Sequence, residues 1–245
     1  MAKTNSGSGL GKCALAQLLQ AVSLCASIRP SVLLEIAAFG MGAKPALRFT
    51  VDESDADTLK HCCAKAGIPT ASRRVYLEPL GGTWTQIVPH RTASSCMLVV
   101  IGQTSRISRG LLKRELADSN GAGRLLGYPP CCLSAFPRLA QAGAAWPFLL
   151  LESALESSRP IDARCNRFAA DWGGIGLIGE LFPCSVHCRL AAAYSDRLRS
   201  ATRAAGLQRL ALQAESDALT PVEIHADGTI STAGDGRGRR VEFQL

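Results

Sequence analysis

A chain of 245 residues with 47% apolar content is long enough to bury a substantial core and too apolar to be globally disordered. Its net charge of +7, from 27 Lys and Arg against 20 Asp and Glu, tolerates an acidic ligand without demanding one. Aromatic residues make up only 5% of the chain and are not interleaved with any Lys/Arg block, so nucleic acid is not an expected partner.

Residues 1–8 read as a flexible tail. The run Gly7 to Lys12 has the flavour of a phosphate loop but fails as one: Ser6 stands where the first glycine belongs, Cys13 where Ser or Thr belongs, and no strand precedes it. Ala14 to Ile28 is apolar behind Lys3 and Lys12, yet Gln17 and Gln20 interrupt it and no small-x-small cleavage site follows. It is also too short to span a bilayer. Leu15, Leu18, Leu19 and Val22 recur at helical spacing, so a helix is expected from about Leu10 to Ala26.

Further along, Leu47, Phe49 and Val51 alternate with polar residues and predict a strand over Ala46–Val51. A helix is expected over Asp55–Ala66, with Ser54 as its N-cap, Gly67 at its end and Pro69 beyond. Arg74–Leu77 and Cys96–Ile101 read as strands, the second apolar enough to be central in a sheet. Leu111–Ala117 reads as helical. From Ser134 to about Ala214 the chain is rich in Ala, Leu and Arg, and helices are expected to dominate. There Leu190, Tyr194, Leu198 and Ala201 form one apolar stripe, with Arg189, Arg197, Arg199 and Arg203 off it. Strand-like pieces close the chain at Val222–His225 and Arg240–Phe243, separated by turns around Asp227-Gly228 and Gly234 to Gly238.

The expected class is therefore α+β: a mixed unit over 9–120, a mainly helical cysteine-bearing unit over 121–220 and a β segment over 221–245. Asn120 to Gly123 supplies the Gly and Asn content of a boundary.

Ten cysteines are many for this length. Without a recognisable export signal the expected compartment is the cytoplasm. In a reducing compartment, clustered cysteines point to metal or redox chemistry more than to disulfides. Two segments stand out, Gly127-Tyr128-Pro129-Pro130-Cys131-Cys132 and Phe182-Pro183-Cys184-Ser185-Val186-His187-Cys188. Each is a proline-led turn that delivers cysteines near the start of a predicted helix. Ser185 is the expected N-cap of the arginine-rich helix. The free N–H groups of a helix start favour thiolate over thiol, and thiolate is the form that binds metal.

Cys131, Cys132, Cys184 and Cys188 are thus the expected metal ligands. On a helix face Cys184 and Cys188 would stand at i and i+4 and share a centre. Adjacent Cys131 and Cys132 would diverge in a regular helix, which favours a large centre such as a 4Fe-4S cluster over a single zinc. The other six cysteines are expected to be packing residues, although Cys165 could approach the site. His187 could be a ligand or a proton donor but reads first as a surface residue, and His61 as a solvated one; Arg164, Asn166 and Arg167 could bind an anionic substrate but read first as a structural ion-pair group. Asp171-Trp172-Gly173-Gly174 reads as a turn.

The two segments resemble the hallmark of an uncharacterised prokaryotic family, domain of unknown function family 483. Its Gly-Tyr-Pro-x-Cys-Cys motif with a nearby Phe corresponds to Gly127 to Cys132 with Phe136, and its Pro-Cys-Ser-x-x-Cys motif to Pro183 to Cys188. The resemblance covers roughly Lys44 to Ala205 and implies no particular reaction.

Three functions are open at this level. One is an iron–sulfur cluster-dependent enzyme of a biosynthetic or sulfur-handling pathway, with a small-molecule substrate. Another is a non-enzymatic protein with a structural zinc site that binds a partner. The third is a thiol redox protein with Cys131 or Cys184 as nucleophile. A membrane is not expected in any of them.

Overall fold

The computed structural model of the chain describes residues 9–81, 84–88, 94–117, 119–142, 149–151, 161–171, 173–225, 230–232 and 239–245. The expected tail at 1–8, Trp172 and the expected turns at Asp227-Gly228 and Gly234 to Gly238 lie outside the described residues.

The fold is α+β. Its first part is an antiparallel sheet with helices on both faces. Strands β1 (Ala46–Val51), β2 (Thr70–Gly81), β3 (Trp84–Val88) and β4 (Ser94–Gly102) pair in the order β1-β4-β2-β3. β4 is internal, as its continuous apolar run predicts. Its side chains alternate between two apolar layers. Val99 and Ile101 pack with helices α1 (Lys12–Ser23), α2 (Leu33–Gly40) and α3 (Glu53–Lys65). Leu98 and Val100 face the other way, toward α4 (Ser105–Glu115) and α5 (Ser119–Leu125). β1 sends Leu47, Phe49 and Val51 into the first layer, while Arg48 and Thr50 alternate with them and lie exposed.

One local expectation needs correction. Ser54 does not cap α3: the helix starts at Glu53, so Ser54 lies within its first turn and Asp52 takes the cap position. Helix α2 carries no periodic signal because it is buried nearly all round. One of its faces (Ile36, Phe39) belongs to the core under the sheet and the other (Leu34, Ala38) to the core of the second part.

That second part is built on α6 (Pro130–Gln141), the short β5 (Ile161–Asp162) and α7 (Phe168–Asp171), and on α8 (Arg189–Ala204) and α9 (Gln208–Ala218). Helices do not dominate throughout. Among the described residues between Ile161 and Cys188 the chain holds β5, one 3-10 turn (Ala163–Cys165) and α7, and is otherwise irregular. Strands β6 (Val222–Ile224), β7 (Ile230–Ser231) and β8 (Arg239–Val241) form a small sheet, and β9 (Phe243–Gln244) pairs in parallel with β5. The arginine-rich helix α8 buries Tyr194, Leu198 and Ala201, but Leu190 is 52% exposed and leaves the expected stripe. Ala191 and Ala192 are buried in its first turn instead.

A buried polar cluster joins the two parts. Lys44 is 1% exposed and its ammonium lies 3.4 Å from the Glu35 carboxylate. It donates to the Tyr194 hydroxyl and the Leu126 carbonyl, and sits 4.5 Å from the centre of the Tyr128 ring. The Tyr194 hydroxyl in turn donates to Glu35. Burial pushes the Lys44 ammonium below its ordinary range, and Glu35 opposes that shift. Lys44→Met is expected to cost about 3 kcal/mol, because Glu35 would be left buried without its cation. Lys44→Met combined with Glu35→Gln should recover part of that loss. Urea denaturation of both variants checks the pairing; equal loss in the two would mean the charges are not coupled.

Candidate metal centre

Helix α5 is followed by Gly127, whose φ of 81° turns the chain where a side chain would be strained. Tyr128 then bonds back to the Gly123 carbonyl. Pro129 is extended and caps α6, and Pro130 takes its first position, where proline's missing N–H costs nothing. Cys131 and Cys132 therefore both lie in the first turn of a regular helix. Their sulfurs are nevertheless only 3.9 Å apart, so the expected divergence of adjacent cysteines does not occur.

The opposing wall is the loop before α8. Gly179 (φ 58°) lets it pass against α2, since an added Cβ would lie 2.6 Å from Cγ of Glu35. Val186 is buried and its carbonyl accepts from the Asp162 amide. The Cys188 amide donates to the Ser185 carbonyl, which closes the turn that faces Cys184 toward Cys188. Cys184 is thus on a loop and not on a helix face. Nor is Ser185 the cap of α8: its hydroxyl accepts the His187 amide, and the cap is Cys188, whose sulfur accepts the Ala191 amide at 3.4 Å. Two helix starts, α6 and α8, meet at the sulfurs.

All four sulfurs, of Cys131, Cys132, Cys184 and Cys188, lie within 4.8 Å of one another. Cys188 stands 3.5 Å from Cys131 and 3.8 Å from Cys132. This group could hold a metal ion. Thiol donors from Cys132, Cys188 and Cys131 draw the Cys184 thiol down to about 5. Burial and the hydrogen bonds of the same exchange push Cys131 up to about 11, and donation to Cys184 together with burial raises Cys132 further. Cys184 thus ionises more readily than Cys131 and Cys132.

Cys165 comes close but contributes no sulfur to the group; it is fully buried and donates to the Cys188 carbonyl at 3.4 Å. Cys62 donates to the Gln17 carbonyl and Cys63 is buried in the core, so both stay outside. His187 is half-buried beside the site and His61 is exposed on α3. Arg164 is paired with Asp162 and Asp196, and Asn166 bonds the Ala218 carbonyl. Arg167 is 2% exposed, donates to the Gly179 carbonyl, lies 3.3 Å from Asp171 and stacks 4.5 Å from the Phe182 ring centre.

A cavity of about 270 Å³ opens beside Cys132. Its charged lining is Arg29, Arg48 and Arg167 with Glu35, Glu115 and Glu180, and its apolar lining includes Leu133, Phe136 and Phe182. Except for Arg167, none of these charged residues stands out in the sequence. The one available signal was Glu35, a lone acid in the apolar run Leu33 to Phe39, where a buried charge demands a partner.

The family described as Protein of unknown function (DUF483) matches residues 91–210, which contain all four cysteines and both proline-led turns. The chain resembles that family. The matched stretch is just under half of the chain; it begins well after Lys44 and runs slightly past Ala205. No curated protein and no solved structure matches the chain. Among the described residues no helix is long and apolar enough to cross a membrane.

The cap geometry gives a direct test in chelator-treated protein. Cys188→Ala should cost about 1 kcal/mol through loss of the α8 cap. It should also speed hydrogen exchange at the Ala191 amide. Ser185→Ala should leave that amide unchanged, and acceleration in Ser185→Ala alone would reassign the cap.

Proposed function

We propose that the chain is a metalloprotein in which Cys131, Cys132, Cys184 and Cys188 hold a single tetrahedral ion of the zinc type. One observation carries this reading. The edge of a tetrahedron is about 1.63 times the centre-to-corner distance, so Zn–S bonds of about 2.3 Å place the sulfurs about 3.8 Å apart. The separations among the Cys131, Cys132 and Cys188 sulfurs are 3.5, 3.8 and 3.9 Å, and the Cys184 sulfur lies within 4.8 Å of each. In a four-iron cluster each thiolate binds a different iron, which spreads the ligand sulfurs beyond the 4.8 Å that bounds all four here. With four thiolates at such spacing, zinc is also the ion that softness and tetrahedral geometry favour.

A centre closed by four protein ligands contributes stability more than reactivity. Here it ties the start of α6 to the loop before α8, across the 51 residues between Cys132 and Cys184. Cys132 also lines the cavity, so the ion would fix that wall. The role we assign is structural: a metal-locked scaffold for a binding cavity. Thiol redox chemistry is the second reading, favoured by the Cys184 thiol at about 5.

Metal analysis and the absorption spectrum of protein purified without oxygen test the proposal. About one zinc per chain and a colourless solution are expected. A brown protein with several irons would establish the cluster reading, and a metal-free protein whose Cys184 alkylates rapidly would establish the redox reading. Cys132→Ser and Cys184→Ser should each abolish stoichiometric zinc, while the double variant Cys62→Ala and Cys63→Ala should retain it.

Zinc uptake by the metal-free protein at pH 7 should release protons, since Cys131 and Cys132 carry theirs at that pH. Affinity should therefore fall as pH is lowered. Calorimetry in buffers of different ionisation enthalpy measures the release. Uptake without any proton release would contradict the ligand set.

A further inference from the structure

We infer that the cavity beside Cys132 binds a small organic anion, with a carboxylate or phosphate head on Arg29 and Arg48 and an apolar body against Leu133, Phe136 and Phe182. This rests on the cavity and its lining, and not on which ion the cysteines hold.

The lining has as many acids as guanidinium groups, so net charge alone does not select the ligand. Hydrogen-bond accounting does. Glu115 accepts from Nη1 of Arg48. Glu180 accepts from the Ser31 hydroxyl and lies 3.7 Å from Arg167. Glu35 accepts from Tyr194 and from the Glu180 amide, with Lys44 beside it. Each acid therefore already serves a partner. The cations are not equally engaged. Among the described residues Arg29 reaches only Asp171, at 3.6 Å, which is an ion pair without a hydrogen bond, and Arg48 uses one of its five N–H donors. Both keep close to half of their side-chain surface open, 45% and 43%, while lining the cavity.

Arg48 is also placed by the fold. On β1 it points away from the buried Leu47 and Phe49, with Thr50 beside it on the same side. Its pairing with Glu115 holds one edge of the guanidinium and leaves the rest free for a second acceptor. Opposite in chemistry, Leu133 and Phe136 come from α6 and Phe182 from the loop that carries Cys184. Such a lining, an apolar wall facing guanidinium donors that are not all engaged, suits a small molecule with an anionic head, and a carboxylate or phosphate is what unfilled guanidinium donors recognise best.

The probes are 3-phenylpropionate, phenyl phosphate and the neutral 3-phenylpropanamide, titrated calorimetrically into the protein as purified, with its metal content measured on the same samples. Either or both anions should bind and the amide should bind at least about tenfold more weakly, the worth of a charge-assisted bond. The anion that binds more tightly identifies the head group. Arg48→Gln should weaken the anion about tenfold or more. Thr50→Trp should block binding without removing charge, and Arg209→Gln, on the exposed face of α9, should bind as wild type. Thermal melting of each variant shows that it is folded. Equal binding of acid and amide, wild-type binding by both folded Arg48→Gln and Thr50→Trp, or no binding of either anion would each overturn the inference. Because zinc content is read separately, loss of anion binding with one zinc in place leaves the metal reading standing. Anion binding without zinc leaves this one standing.

Discussion

Four thiol sulfurs within 4.8 Å of one another are a repulsive arrangement as soon as more than one ionises. The surrounding structure can be read as the means of tolerating that crowding. The starts of α6 and α8 both meet at the group, and each brings free amides and positive partial charge. One of these amides, from Ala191, is spent directly on the Cys188 sulfur. The helix fields remove part of the cost; a divalent cation would remove the rest. In its absence burial and shared hydrogen bonds hold the protons on Cys131 and Cys132, while the Cys184 thiol is drawn down to about 5.

Holding two helix starts on one point requires rigid support behind them. The support is a buried ion pair rather than apolar packing alone. Lys44, Glu35, Tyr128 and Tyr194 come from four separate stretches: α2, the turn after it, the lead-in to α6, and α8. Tyr128 immediately precedes the Pro129-Pro130 start of α6, and Tyr194 lies on α8 below Cys188. A displacement of α8 would therefore break the Tyr194 hydrogen bonds of the buried pair, and one of α6 would pull the Tyr128 ring off the Lys44 ammonium, both costlier than a slip between apolar faces.

How legible this was depends on the range of the signal. β1 and the internal place of β4 followed from alternation and from an unbroken apolar run, both local patterns. The four cysteines were legible because proline fixes backbone direction without help from distant residues. Details needing tertiary contact were misread. Ser185 has the right chemistry for a cap, but the backbone places Cys188 at that position. Adjacent cysteines were expected to diverge from their Cα directions, yet rotamer choice in the first turn brings their sulfurs to 3.9 Å. The cavity was not visible at all, because Arg29, Arg48, Glu115 and Glu180 are scattered along the chain and each alone looks like a solvated surface residue.

The metal group and the cavity share a wall, and this bears on what a closed centre is for. Cys132 and Leu133 are consecutive on α6, one facing the sulfurs and both lining the cavity, while Phe182 lies two residues before Cys184. A loop such as 173–188, with little regular structure, would ordinarily fluctuate, and the residues it contributes to a pocket would fluctuate with it. An ion bound at Cys184 and Cys188 would fix both ends of its last turn, and through Cys131 and Cys132 would fix that turn to α6. The apolar half of the cavity would then be set by metal–sulfur bonds, and the charged half by the sheet through Arg48 on β1. A binding site assembled from two differently anchored halves keeps its shape without a ligand, so less of the interaction energy goes into ordering the site when one arrives.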